Sequence, residues 1–188
     1  MNQIEKETQK YFDELSKYHH ERDHLNNKNN QKRLEEIVKD IKKYIFHPLL
    51  EVGCGCGDSG LLLNPEVAVD YSEGMVKKSK ELLPKTTKVL LENVLNLSFE
   101  NNSFETVVSI SMLQNCEFPE KAIKEMVRVA KKNVVIVTNI FEQYKEIISP
   151  HRTYHFTKEV LINLVKNYNY KLELIDNNKS SLLVINKV

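Results

Sequence analysis

The sequence predicts a doubly wound α/β fold: a seven-stranded, mostly parallel sheet with an antiparallel last strand, helices on both faces, and an N-terminal helical lid. Three observations predict it. Gly53, Gly55, Gly57 and Gly60, four of the chain's five glycines, fall between a short apolar run and a helix-like run, as a tight strand-to-helix turn requires. Downstream of them, short apolar runs alternate with amphipathic ones, the signature of repeated β-α units. The last two apolar runs are joined only by Asp176 to Ser181, too short for a parallel crossover, so the final strand should run antiparallel.

Each element follows from its local pattern. Ile4, Tyr11, Phe12 and Leu15 recur at helical spacing, and after the polar break Asn26 to Asn30 a second stripe runs through Leu34, Ile37, Val38, Ile41, Tyr44 and Ile45. Leu49 to Val52 reads as the first strand and Asp58 to Leu63 as a short helix stopped by Asn64-Pro65. Val67 to Asp70 is the second strand. Ser72 caps a helix bearing Met75, Val76, Leu82 and Leu83, which Pro84 ends. Lys88 to Leu91 and Phe104 to Ile110 are the third and fourth strands. Phe118-Pro119 opens a helix with Ala122, Ile123, Met126, Val127 and Ala130 on one face. Val134 to Val137 is an unbroken apolar strand, as expected when both faces are covered. Thr157 caps a helix through Val160, Leu161, Leu164, Val165 and Tyr168. Leu172 to Ile175 and Leu182 to Ile185 complete the sheet.

With 188 residues the chain is read as one domain, residues 1–46 forming the helical lid and 47–188 the α/β core. Its apolar runs fall far short of the ~20 residues that span a bilayer. The N-terminus lacks the apolar core of a signal peptide. A net charge of +1 supplies no electrostatic argument for nucleic acid. Cys54, Cys56 and Cys116 make no disulfide framework and suit a reducing compartment. A cytoplasmic protein without membrane partners is expected, and the oligomeric state is left open.

Two templates fit the glycine turn. Gly55 to Gly60 matches G-x-G-x-x-G, a dinucleotide fingerprint; Glu51 to Gly57 is an acidic residue followed by alternating glycines. Glu51 ends its strand and is expected to face the turn, where a pyrophosphate would be repelled and a cationic ligand such as S-adenosylmethionine favoured. Asp70 ends the second strand, where a carboxylate accepts from ribose hydroxyls of either cofactor. About 130 residues follow the turn and the sheet uses nearly all of them, which leaves no substrate domain of the kind a dehydrogenase needs.

Four segments, in order, carry a family resemblance: Leu50 to Gly57, Val67 to Met75, Asn93 to Val108, and Lys121 to Lys131. They resemble the class I S-adenosylmethionine-dependent methyltransferases of the small-molecule type, the group that includes the ubiquinone and menaquinone methylases. The resemblance implies a Rossmann-like core and methyl transfer to a small-molecule acceptor, with S-adenosylhomocysteine as product. The alternatives are a protein or RNA methyltransferase and a catalytically silent cofactor-binding module.

The resemblance further implies that Gly53, Gly55 and Gly57 lie against the methionine and ribose portions. It places Asp70 on the ribose diol, Tyr71 on the adenine face, and Asn93 with the Val94 backbone on the adenine edge. Ser109 and Ile110 fall near the methionine end, and Tyr18 where related enzymes place a lid aromatic. The family usually has Asp at position 93; Asn still accepts through its amide oxygen. Lys132-Asn133 stands where the family has a Pro-Gly-Gly turn, which Asn tolerates.

In-line methyl transfer depends mostly on positioning, so no conspicuous catalytic residue is required. Acceptor-side candidates are His20, Gln114, His151 and Tyr154. His20 with His24, and His151 with His155, stand at helical spacing. Each pair is read as part of a solvated helix or polar loop, the alternative being a base or a metal ligand. No metal is assigned. Cys54 and Cys56 are read as small fillers of a tight turn.

Overall fold

The computed structural model describes residues 2–18, 28–147, 153–175 and 180–187. Helices α1 (Gln3–Lys17) and α2 (Lys28–Ile41) precede the core, and a single 3₁₀ turn, Lys42–Tyr44, leads from α2 toward the sheet. The core runs β1 (Leu49–Val52), α3 (Asp58–Leu63), β2 (Val67–Asp70), α4 (Glu73–Leu82), β3 (Lys88–Leu91) and β4 (Phe104–Ile110). A 3₁₀ turn at Leu113–Asn115 leads to α5 (Pro119–Val129), β5 (Ala130–Asn139), β6 (Lys145–Ile147), β7 (Thr153–His155), α6 (Lys158–Val165), β8 (Asn169–Ile175) and β9 (Ser180–Asn186).

Seven strands form one sheet in the order β3-β2-β1-β4-β5-β9-β8. The first five are parallel, and β9 runs antiparallel to both β5 and β8. The predicted fold class and the antiparallel last strand are what the structure has. Alternation along the central strands divides the core by face. Leu49, Val108, Val135 and Val137 pack with Ile37, Val38 and Ile41 of α2. Leu50, Val107, Val134 and Ile136 pack with Ile123 and Met126 of α5 and Leu161 and Val165 of α6.

Three local expectations are corrected. Strand β5 begins at Ala130, so Ala130 closes α5 rather than lying on its face, and Lys132-Asn133 lie within the strand rather than in a turn. Lys131 and Lys132 stay exposed beside Glu105 (2.8 and 3.1 Å), while buried Asn133 accepts from the Thr106 hydroxyl and donates to the Tyr44 carbonyl. Tyr168 lies beyond the end of α6, its N–H donating to the Val165 carbonyl. The segment read as a polar loop carries the hairpin β6–β7. His155 sits on strand β7, stacked on Phe141 at 3.7 Å, and not on a helix; His151 lies outside the described residues.

Helix α1 lies on the N-terminal end of α4 and is stitched there by polar side chains at helical spacing. Gln9 Nε2 donates to the Tyr71 carbonyl (2.8 Å). Asp13 Oδ1 accepts from Ser72 Oγ (2.6 Å) and from the Gly74 N–H (3.0 Å). Ser72 in turn caps α4 by accepting from the Met75 N–H. Gly74 is where the two helices come closest: a Cβ there would stand 2.2 Å from Ser16 Oγ and 3.1 Å from the Asp13 carbonyl oxygen. The close approach, not a turn, accounts for the one glycine outside the cluster.

Glu51 is the unusual residue of β1. It is only 1% exposed and points to the same face as Leu49, beneath α3, where Oε1 accepts from the Ser59 hydroxyl. Its Oε2 has no hydrogen-bond partner among the described residues. Burial pushes its pKa up from an ordinary 4.5 to about 7, against the opposing pull of the Ser59 hydrogen bond.

Two predictions follow from these contacts. Gly74→Ala forces α1 away from α4 and destabilises the fold by about 1–3 kcal/mol, measurable by urea unfolding. A smaller change would mean that α1 does not hold this position. For Glu51, the folded pKa lies above the unfolded one, so the fold favours the protonated form. Stability is full below about pH 4.5 and falls as pH rises to about 7, by something on the order of 3 kcal/mol. In Glu51→Gln this slope disappears from a melting-temperature profile across that range; an unchanged slope would assign it to other groups.

Candidate functional site

The strand order puts a crevice at one end of the sheet. The chain builds outward from β1 through β2 and β3, then returns on the other side of β1 with β4. Loops leaving the C-terminal ends of β1 and β4 therefore diverge, and such a switch point is where open α/β sheets bind ligands. A cavity of about 510 Å³ lies there, walled by the loops after β1, β2, β3 and β4 and roofed by α1 and α2. Its size suits a cofactor-sized molecule.

The turn after β1 is fixed to β2. The N–H groups of Gly53 and Cys54 both donate to the Val69 carbonyl (2.8 and 3.0 Å), and Gly57 N–H donates to Cys54 O (2.9 Å). Gly53, Gly55 and Gly57 all have positive φ, at 71°, 54° and 101°. At Gly55 a Cβ would meet no protein atom within 4 Å, so the backbone is bare toward the cavity it lines. The left-handed conformation, not crowding, demands glycine at this position, and the open space leaves the backbone approachable by a ligand.

Asp70 stands next to this turn on the cavity wall, 8% exposed. Oδ2 accepts from the Gly55 N–H (2.9 Å) and Oδ1 from the Ser72 N–H (3.0 Å). Burial pushes its pKa up, and the N–H donors pull it back. Each oxygen keeps a further lone-pair site for a ligand hydroxyl. Tyr71 lines the same wall, its hydroxyl bonded to the Thr8 side chain and held neutral by burial. Asn93 and Val94 follow on the loop after β3. Asn93 does not present its amide oxygen freely: Oδ1 accepts from the Leu95 N–H (2.9 Å), and Nδ2 donates to Glu5 Oε1 (3.1 Å).

The charge on the cavity is mainly negative. Among the described residues, Glu5, Asp58, Asp70, Glu92 and Glu117 line it against one cation, Arg33 of α2, which is anchored to Asn139 Oδ1 (3.1 Å) and Ser180 Oγ (2.9 Å). The roof adds an apolar surface. Tyr11 and Phe12, edge to face at 5.2 Å, stand there with Leu15, Leu34 and Ile37. The arrangement offers a polar, acidic half for a cationic, hydroxyl-bearing ligand and an apolar half beside it.

Of the residues expected at the site, Gly53, Gly55, Asp70, Tyr71, Asn93, Val94 and Ile110 line the cavity. Gly57 shapes the turn from behind, at the N-cap of α3. Five do not reach the cavity. Glu51 points beneath α3, away from the ligand side of the turn. Ser109 is fully buried in β4. Tyr18, at the C-cap of α1, is 52% exposed, and Tyr11 and Phe12 take the place expected of it. Gln114 accepts from the Thr138 hydroxyl (2.8 Å). Tyr154 is buried in the core beside Phe156. His20, His24 and His151 lie outside the described residues.

Sequence reasoning missed Glu5, Arg33, Ser111 and Met112, all of which line the cavity. The apolar stripe of α1 was visible, but not that it faces a cavity. Met112 packs directly on Gly53, with its Cγ 2.3 Å from where a Cβ would be. Cys54, Cys56 and Cys116 are buried; burial pushes Cys116 up to about 11 and Cys54 up as well, so those two thiols stay protonated. Among the described residues no group of three or more His, Cys, Asp or Glu side chains is placed to hold a metal, and no helix is long and apolar enough to cross a membrane.

Comparison with known proteins agrees with this architecture. Residues 50–138 match the methyltransferase domain family. An uncharacterized protein of Methanocaldococcus jannaschii is 34% identical over 139 residues, covering 71% of this chain and 51% of its own length. Demethylmenaquinone methyltransferase of Staphylococcus haemolyticus is 31% identical over 112 residues, 55% of this chain and 47% of that protein. The chain thus spans about half the length of these curated relatives. A solved structure of a SAM-dependent methyltransferase, possible histamine N-methyltransferase, from Thermotoga maritima superposes with a TM-score of 0.72 at 16% identity, covering 92% of this chain and 98% of that one. Sheet order, switch-point cavity and these matches converge: residues 50–138 match a methyltransferase domain, and the fold is that of the class I S-adenosylmethionine-dependent methyltransferases.

Proposed function

We propose that the protein binds S-adenosylmethionine in the switch-point cavity and transfers its methyl group to a small-molecule acceptor. The observation that carries this reading is the Asp70 carboxylate. It is buried on the cavity wall beside the bare Gly55 backbone, pinned by two N–H donors, and still has acceptor capacity facing a ribose-sized space. The surplus of carboxylates around the cavity supports a cationic ligand over a pyrophosphate. That support comes from Asp58, Asp70 and Glu92 rather than from Glu51, which lies out of reach.

S-Adenosylmethionine, when bound, supplies an activated methyl group: the acceptor's lone pair forms the new bond to carbon as the carbon–sulfur bond breaks, and the sulfur leaves as a neutral thioether. The protein's part is to hold and to exclude. Asp70 would hold the ribose diol, and Tyr71 would cover one face of the base. The Gly53–Gly55 backbone would allow the amino-acid end to lie close against the turn. Tyr11, Phe12, Leu15, Leu34 and Ile37 form a water-poor wall for the acceptor, which supports a small molecule with an apolar body. No side chain among the described residues need act as base if the acceptor is already nucleophilic. The relatives named for quinone methylation support the small-molecule class, and the acceptor's identity is left to screening.

Calorimetric titration with S-adenosylhomocysteine, with NADH in parallel, tests the reading. Saturable binding of the first alone is expected; NADH binding alone would return the site to dinucleotide chemistry. In Asp70→Ala the S-adenosylhomocysteine affinity should drop by about 1–3 kcal/mol, roughly fivefold to 150-fold, through loss of the ribose hydrogen bonds. Unchanged affinity would remove Asp70 from the ribose.

A further inference from the structure

We infer that Glu5 of α1, rather than the residue at position 93, is the acceptor that selects an adenine base by its exocyclic amino group. The inference rests on the proposed cofactor reading and assigns the specificity of that site to a residue of the roofing helix.

The argument begins with Asn93. On the wall where the base is expected, beside Tyr71 and Val94, its amide oxygen is turned into its own loop and accepts from the Leu95 N–H at 2.9 Å. Its amide nitrogen points outward and donates to Glu5 Oε1 at 3.1 Å. The position that would read an amino group by accepting from it therefore shows the cavity a donor. The acceptor at that wall is the Glu5 carboxylate, which lines the cavity itself.

Glu5 is well held for this role. It is the third residue of α1 and completes a capping box: its N–H donates to Asn2 Oδ1 (2.9 Å), and its Oε2 accepts from the Asn2 N–H (2.6 Å). Asn2 Nδ2 is tied in turn to Glu117 Oε2 (2.7 Å), which also lines the cavity. These bonds leave lone-pair sites on both carboxylate oxygens. A carboxylate offers acceptors only. It satisfies the N–H of a 6-amino purine and repels the oxygen of a 6-oxo purine, whereas a neutral amide would tolerate both. A site built to hydrogen-bond one group rejects its analogue strongly, because the mismatch leaves polar atoms unpaired.

The test is calorimetric titration of the full chain with S-adenosylhomocysteine and S-inosylhomocysteine, for wild type, Glu5→Gln and Glu5→Ala. Wild type should favour the adenosyl ligand by about tenfold or more. Glu5→Gln preserves the capping box and supplies a donor as well as an acceptor, so the ratio should narrow to about twofold. In Glu5→Ala the ratio should collapse as well, with weaker adenosyl binding. The ratio is read on binding-competent protein, so lost stability does not imitate the effect. A purely structural Glu5 would weaken both ligands alike, and an unchanged ratio in both variants overturns the inference while leaving the cofactor reading intact. Wild type that binds neither ligand overturns the cofactor reading and this inference together.

Discussion

The site depends on how one carboxylate is shared. Asp70 takes the Gly55 N–H on one oxygen and the Ser72 N–H on the other, so the turn after β1 and the start of α4 meet on a single side chain. Ser72 then passes its hydroxyl to Asp13, which also receives the Gly74 N–H, and the chain of contacts ends on α1. The glycine turn, the helix cap and the roof of the cavity are thereby fixed relative to one another through Asp70 and two intermediates. Burial raises the free energy of the ionised carboxylate, and its N–H donors offset that penalty.

Much of the core was legible because its breaks are local. Asn64-Pro65 and Pro84 interrupt apolar runs with residues that cannot continue a helix, so the bounds of β1 to β4 follow from the chain itself. Strand β5 extends before its apolar run because Lys132-Asn133, expected as a turn, continue it: Asn133 pairs with Thr106 of β4 and accepts from its hydroxyl in the core. The hairpin β6–β7 was invisible because three-residue strands carry too little alternation to be recognised, and they pair only with each other.

The site divides in the same way. Gly53, Gly55 and Asp70 belong to contiguous segments whose geometry is set by one turn and one strand end. Glu5 and Arg33 reach partners 88 and 106 residues away; the capping box with Asn2 marks Glu5 as a helix start, but nothing local marks either residue as lining a cavity. Glu51 failed for a directional reason. Side chains alternate along a strand, and Glu51 shares the face of Leu49 beneath α3, so proximity to the turn in sequence did not bring it to the ligand side. Helix α1 serves two surfaces at once. Its polar positions are spent on the loops after β2 and β3, while Tyr11, Phe12 and Leu15 form the apolar wall of the cavity.

The attachment of α1 also sets an order of events during biosynthesis. Its contacts reach forward 59 residues to Ser72, 62 to Tyr71, 88 to Asn93 and 115 to Glu117. Every one of those partners leaves the ribosome after α1 has emerged. At about 5–20 residues per second the helix spends several seconds as an amphipathic segment with no surface to cover. The element that closes the cavity is therefore translated before the surface that its apolar stripe covers.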